Sequence, residues 1–371
     1  MNEIKKYSYW LMSTPVLTDG QRLKLFEYFG SSQEVFFARE QDLIESNILK
    51  KDSIESLVRA RDIYNLEESY ISFTSSPFDF VTLEDDYYPN SLKYIHNIPY
   101  GLFFAGDMKK ILGKKCVALV GARSCSAYGK RMAEELANEL AKNDIVVISG
   151  LAKGIDSYAH TGSLKAGGIT AAVLGCGVDI IYPKENAVLY EQIAKTGCVI
   201  SEYAMGTSPQ PRLFPLRNRI ISGLCQTTVV VEARLKSGSL ITADYALEQG
   251  KDIYVIPGRV GDSLSAGCNK LASQGAGIIF SIDQFLSAIL ELNSENRYSV
   301  ITDNHAASKI ELNSEQLLVY GLFDLYPKSL AQVQADANMD ALKLVAITME
   351  LCHLGLLKEV FKNNYIINGV C

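Results

Sequence analysis

The sequence predicts an α/β protein built on a doubly wound parallel sheet, with a helical domain before it and a second small domain after it. Three observations carry this. Between residues 106 and 291, seven short apolar runs alternate with helical patterns. The runs are apolar throughout, as strands covered on both faces of a parallel sheet must be. Glycines and small polar residues gather just after the runs, at the carboxyl edge where open α/β sheets bind ligands. The class is therefore an extended Rossmann-like sheet.

Residues 1–75 read as a helical domain of the SAM-like or helix-hairpin-helix kind. LTDGQRLKLFEYFG, QEVFFARE, QDLIES and DSIESLVRARDIYNLEESY are amphipathic stretches separated by Gly, Ser and Asn. A DNA-binding helical hairpin needs a glycine-rich turn aimed at phosphate. Only Asp19-Gly20 and Phe29-Gly30 are available, and the segment is acidic, which favours structural or protein-contact use. Residues 76–105, rich in prolines, aromatics and acids, read as an ordered connector with one or two short strands. His96 lies there with no partner at ligand spacing, so it reads as packing or surface.

Within residues 106–291 the expected strands are 116–121, 145–149, 169–174, 197–201, 227–231, 252–256 and 276–280. The first, CVALVGARSCSAYG, runs into RMAEELANELAKN, where Ala133, Leu136, Ala137 and Leu140 share one helix face. Strand, glycine turn and amphipathic helix make the first half of a βαβ unit. Residues 292–308 are polar and aperiodic, a linker. Residues 309–371 read as a winged-helix domain: three short helices, then LLKEVFKNNYIIN as a hairpin with an Asn-Asn turn. The third helix carries a single Lys/Arg, Lys343, whereas a base-reading helix presents Arg, Asn or Gln to base edges. This module is therefore expected to make protein contacts or to pack.

Composition narrows the function. Of 371 residues, 48% are hydrophobic and 21% charged, as in a globular chain. No apolar run reaches the roughly 18 residues of a membrane span. The N-terminus lacks the h-region of a signal peptide. The eight cysteines include no C-x-x-C pair, which points to a reducing cytoplasm without disulfides or a zinc site. No metal or cofactor is expected. The net charge of −6 is uneven: residues 1–105 hold 10 basic and 16 acidic residues, residues 106–291 hold 20 and 17, and residues 292–371 hold 6 and 9. Only the sheet segment is positive, so a polyanion partner is expected there.

The first turn is not the dinucleotide fingerprint, because Arg123 stands where G-x-G-x-x-G needs its second glycine. Arginine offers a guanidinium to a single phosphate or phosphodiester. The plainer alternative is a solvated loop arginine. Later turns carry Lys153, Gly175 and Gly177, and Lys236-Ser237-Gly238-Ser239. The segment SPQPRLFPLRNRIISG adds the densest arginine cluster, Arg212, Arg217 and Arg219, with Phe214 among them. Arginine beside an exposed aromatic suits single-stranded nucleic acid, with guanidinium on phosphate and ring under base. A helix starting near Pro215 would point Arg217 and Arg219 about 200° apart, so both cannot face one ligand from mid-helix. Arg217 shares its face with Ile220, Ile221 and Leu224, and either arginine could instead cap or pair.

Catalytic signals are thin. Glu202 and Glu232 follow two strands and could act as an acid/base pair, for instance in N-glycosidic cleavage. His160, four residues after Asp156, could be a base but reads better as a packing histidine bonded to Asp156. No G-x-S-x-G, H-E-x-x-H or Walker pattern occurs.

One ordered set of motifs goes further. VALVGAR, SGLAKGID-x3-AH, GCGVDIIYP, SE, FPLRNRIISGL, VVEARLKSGSLITADYALEQG, VIPG and GCNKL-x3-GA resemble the DNA-processing protein A (DprA/Smf) family, densely over residues 100–290. The resemblance implies sequence-independent binding and protection of single-stranded DNA by a non-enzyme. It also implies homodimerisation through the Rossmann-like domain and loading of the RecA recombinase during natural transformation and recombination. Carried over, Gly121, Arg123 and Lys153 would lie on the DNA path. So would Arg212, Phe214, Arg217, Asn218 and Arg219, with Ser237, Gly238 and Ser239 giving backbone donors. The rival from another class is a nucleotide-processing phosphoribohydrolase, whose expected P-G-G-x-G-T turn Pro257-Gly258-Arg259 does not supply.

Overall fold

The computed structural model describes residues 4–291, 312–323, 328–337, 339–354, 356–361 and 364–367. The chain forms two compact units, Met1–Arg297 and Tyr298–Cys371.

The first unit opens with six helices: α1 (Lys5–Ser13), α2 (Asp19–Phe29), α3 (Ser32–Phe37), α4 (Glu40–Glu45), α5 (Lys51–Asp62) and α6 (Leu66–Thr74). Local sequence sets their ends. Thr18 and Gln21 form a reciprocal capping box at the start of α2, and Gly30 ends it in the left-handed region. Two strands follow, β1 (Phe78–Thr82) and β2 (Gly101–Gly106). Then come the seven expected strands, each trimmed at its ends: β3 (Cys116–Val120), β4 (Val146–Ser149), β5 (Thr170–Val173), β6 (Cys198–Ser201), β7 (Thr227–Val230), β8 (Asp252–Val255) and β9 (Gly277–Ile278). Between them lie α7 (Ala127–Lys142), α8 (Ile155–Lys165), α9 (Ala187–Thr196), α10 (Leu213–Gly223), α11 (Gly238–Glu248) and α12 (Ala266–Ser273), with α13 (Ile282–Glu291) after β9.

All nine strands form one sheet in the order β1-β2-β6-β5-β4-β3-β7-β8-β9. From β6 to β9 every pairing is parallel, while β1–β2 and β2–β6 are antiparallel. The stretch read as a connector thus adds a hairpin to the parallel sheet. The continuous apolar runs have the expected cause. Val117 and Leu119 of β3 face α7, α8 and α13, while Ala118 and Val120 face the side packed by Ile220, Ile221 and Ala243. The helical front shares a core with the sheet, since Trp10, Leu25, Leu43 and Leu57 belong to one cluster with Phe80, Phe103, Ala172 and Val199.

In the second unit α14 (Ser314–Tyr320), β10 (Lys328–Ser329), α15 (Leu330–Ala337), α16 (Ala341–His353), β11 (Leu357–Phe361) and β12 (Asn364–Ile367) surround Val319, Phe323, Val333, Leu344 and Leu351. The three strands pair antiparallel in the order β10-β12-β11. Asn364, read as part of the hairpin turn, is already in β12 opposite Phe361. The other turn residue, Asn363, and the linker read at 292–308 fall outside the described residues. No described helix is long and apolar enough to cross a membrane.

Candidate nucleic-acid interface

Strand order reverses around β3, whose neighbours are β4 on one side and β7 on the other. The loops after β3 and β7 therefore part at the carboxyl edge and leave a crevice between them. It has a volume of about 470 Å³. Gly121–Ser124, Ala152, Asp156, Phe214, Arg217, Asn218, Arg234 and Lys236–Ser239 line it.

The loop after β3 is held from below. Ala122 N–H donates to the Glu232 carbonyl at 2.7 Å, and Ile155 N–H donates to the Ala122 carbonyl at 3.2 Å. The Glu232 carboxylate is 3% exposed; it accepts from Ser126 N–H at 2.9 Å and from the Ser126 hydroxyl. Ser126 Oγ also accepts from Gly129 N–H at 3.0 Å and so caps α7. The loop after β4 crosses close by. Gly154 adopts φ +80°, and a Cβ there would strike the carbonyls of Ala122 and Arg123. These contacts fix the Arg123 backbone while its side chain stays exposed.

Buried charge makes the floor. Asp156 Oδ2 accepts from Gly150 N–H at 3.1 Å, and Arg217 Nη1 donates to the Gly150 carbonyl at 3.0 Å. Burial pushes the Asp156 carboxyl above its ordinary range, against the pull of Arg217 and the backbone donors of Ala152 and Gly150. His160 does not bond Asp156 as the i,i+4 spacing suggested. Its Nδ1 lies 2.7 Å from Thr170 Oγ1, inside the helix–sheet interface.

Two helices form the walls. α10 begins at Leu213, two residues before the expected start, which puts Pro215 in a first turn where no backbone N–H is needed. That places Phe214 over the end of β5. Gly175 makes room for the ring, since a Cβ there would sit 2.7 Å from Phe214 Cδ1. The Arg123 guanidinium carbon is 5.4 Å from the Phe214 ring centroid, a cation–π contact. Opposite, Ser237 caps α11 and accepts from Ser239 N–H at 3.4 Å, and Asn218 Nδ2 donates to the Gly238 carbonyl at 3.2 Å. The positive end of α11 thus opens on the crevice. Arg123, Arg217, Arg234 and Lys236 face one lining carboxylate, Asp156, so the field favours an anion.

The structure brings together Gly121, Arg123, Phe214, Arg217, Asn218, Ser237, Gly238 and Ser239. Three other candidates lie elsewhere. Arg219 is buried on the far side of α10, where Nη1 and Nη2 hold the Glu202 carboxylate at 3.0 and 2.5 Å. This corrects its expected contact role, and the cause is the 200° turn separating it from Arg217. Lys153 pairs at the surface with Glu185 at 2.6 Å, and Arg212 Nε donates to Gln210 at 3.0 Å; neither lines the crevice. Arg217 belongs to the floor, at 4% exposure. Arg234 is a lining cation that sequence reading missed; its only signal was a position two residues past Glu232. The pairing imagined for Glu202 and Glu232 fails too, since each carboxylate has its own partner.

With this geometry in view, the family described as DNA recombination-mediator protein A matches residues 79–290. DNA processing protein DprA of Streptococcus pneumoniae is 38% identical over 280 residues, 75% of this chain and 96% of that protein. DprA of Bacillus subtilis is 41% identical over 213 residues, 57% and 72% of the two chains. The X-ray structure of the S. pneumoniae protein superimposes with a TM-score of 0.68 at 36% identity, covering 76% of this chain and 97% of that one. DNA processing protein A from Helicobacter pylori, described for its single-stranded DNA binding mode, gives a TM-score of 0.53 at 34% identity, over 58% and 97%.

Proposed function

Because the chain belongs to the DNA recombination-mediator protein A family, we propose that it binds single-stranded DNA without sequence preference, protects it and loads the RecA recombinase onto it during natural transformation and homologous recombination. One observation carries the DNA reading: the Arg123 guanidinium rests on the Phe214 ring at the mouth of a cationic crevice. A phosphate ligand and a base platform side by side suit a strand whose bases are unpaired, and a π-face accepts any base. The protein works in the cytoplasm, as a homodimer through its Rossmann-like domain. The second unit is a winged helix used for protein contact. The family resemblance supports these last assignments.

The protein acts without catalysis. A phosphoribohydrolase would need a carboxylate free of protein partners in the crevice, yet the lining carboxylate, Asp156, accepts from Gly150 N–H beneath Arg217, Glu202 holds Arg219 and Glu232 holds Ser126. The test is fluorescence anisotropy of oligo-dT across a salt series, with wild type and Arg123→Ala. Affinity should fall with log salt at about −0.7 per phosphate contacted, and the variant should bind more weakly with a slope lower by about one contact. Flat, weak binding in both would overturn the reading, as would base released from nucleoside monophosphates.

A further inference from the structure

A second aromatic ring stands beside Phe214, outside the lining of the crevice. Tyr182 follows β5 and is 41% exposed. Its ring centroid lies 5.5 Å from that of Phe214, with the planes inclined by 34°. Phe214 is also the ring on which Arg123 rests. Arg123, Phe214 and Tyr182 therefore form one contiguous set of planar groups, leading from the phosphate position to open surface.

The chain around Tyr182 is braced. The Tyr190 hydroxyl donates to the Val178 carbonyl at 2.6 Å, the Asp179 carboxylate accepts from Gly206 N–H at 3.0 Å, and Asn186 Nδ2 donates to the Leu151 carbonyl at 2.8 Å. Pro183, the next residue, is buried. A ring presented on such a segment loses little freedom when a ligand stacks on it.

We propose that Tyr182 is a second nucleobase-stacking subsite for single-stranded DNA. A strand with a phosphate at Arg123 lays one base on Phe214 and its neighbour on Tyr182. The inference rests on the single-stranded DNA reading of the crevice.

The experiment compares wild type, Tyr182→Ala, Tyr182→Leu and Tyr182→Phe by anisotropy, with oligo-dT and with an abasic oligomer of equal length, across a salt series. Tyr182→Ala and Tyr182→Leu should lose about 5- to 150-fold in affinity for oligo-dT, the range for one stacked base. Their salt slopes should stay as in wild type, because no phosphate contact is removed. Tyr182→Phe should bind as wild type does, and the abasic oligomer should bind all four alike. Unchanged oligo-dT affinity in the alanine variant overturns the subsite. An equal loss on the abasic oligomer also overturns it, because the ring would then only prop Phe214. Flat, weak binding by wild type would be a different failure, that of the DNA reading itself.

Discussion

The Arg219 guanidinium grips both oxygens of the Glu202 carboxylate, and its Nε donates to the Asn97 carbonyl at 3.0 Å. Both side chains are buried. The pair ties α10 to the end of β6 and to the chain between β1 and β2. Arg219→Ala would leave a buried carboxylate without its cation. It should lower stability by about 3–5 kcal/mol in urea unfolding, while the folded fraction keeps the wild-type salt slope for oligo-dT. The double change Arg219→Met with Glu202→Leu should recover most of the loss, because neither charge is then stranded. A stable Arg219→Ala that had lost a phosphate contact would return Arg219 to the interface.

The position of the Phe214 ring depends on a neighbour with no side chain. A Cβ at Gly175 would meet the ring and its backbone, with Phe214 Cα at 3.3 Å. Gly175→Ala should tilt the ring away from Arg123 and lower oligo-dT affinity about as far as Phe214→Ala does, each by about 1–3 kcal/mol. The salt slope should hold, since no cation is removed. Wild-type affinity in Gly175→Ala would show that the ring position does not matter to binding.

Glu232 anchors the turn that carries Arg123 without lining the crevice. Its carboxylate takes the Ser126 N–H and hydroxyl from across the crevice edge. Glu232→Ala leaves that N–H without its acceptor, so about 1–3 kcal/mol of stability should go in urea unfolding. Oligo-dT affinity should fall as well, because the turn carrying Arg123 loses its anchor. Glu232→Gln, which keeps an acceptor oxygen, should retain more of both. Full stability and binding in Glu232→Ala would mean that the turn is held by its backbone bonds alone.

These residues also mark where the sequence is legible. Val117 to Val120 is apolar because helices cover both faces of β3, so composition alone locates the strand. The glycine turns reveal the edge where the crevice opens for the same local reason. Arg219 is different. A helical wheel separates it from Arg217, but which of them faces the crevice depends on Glu202, seventeen residues earlier on another element. Glu232 and Ser126 stand 106 residues apart, so no spacing rule joins a loop serine to a strand-end carboxylate. The hairpin β1–β2 looked like a connector because its pairing with β6 lies about a hundred residues downstream. Local pattern gives the elements here, and long-range pairing assigns the charged residues.

His160 gives the protein a pH dependence of known sign. The Thr170 hydroxyl donates to the Val147 carbonyl at 2.6 Å, so it can only accept from His160, and Nδ1 carries the proton of the neutral ring. Nε2 is buried with no partner, so a second proton would have nowhere to bond. Burial, helped by the nearby Arg217 charge, drops the pKa to about 3. In the unfolded chain the ordinary value near 6.5 returns. Between these values the unfolded state takes a proton that the folded state refuses, so stability falls as pH falls, by about 1.4 kcal/mol per unit. Above about pH 6.5 this group contributes no slope. Asp156 and Glu202, both raised by burial, act in the opposite direction, so the histidine is isolated by difference. The stability of wild type relative to His160→Gln should shrink by about 2 kcal/mol between pH 7 and pH 5, read from urea midpoints. A difference that stays constant over that range would mean that the ring takes up its proton in the fold as readily as in the unfolded chain.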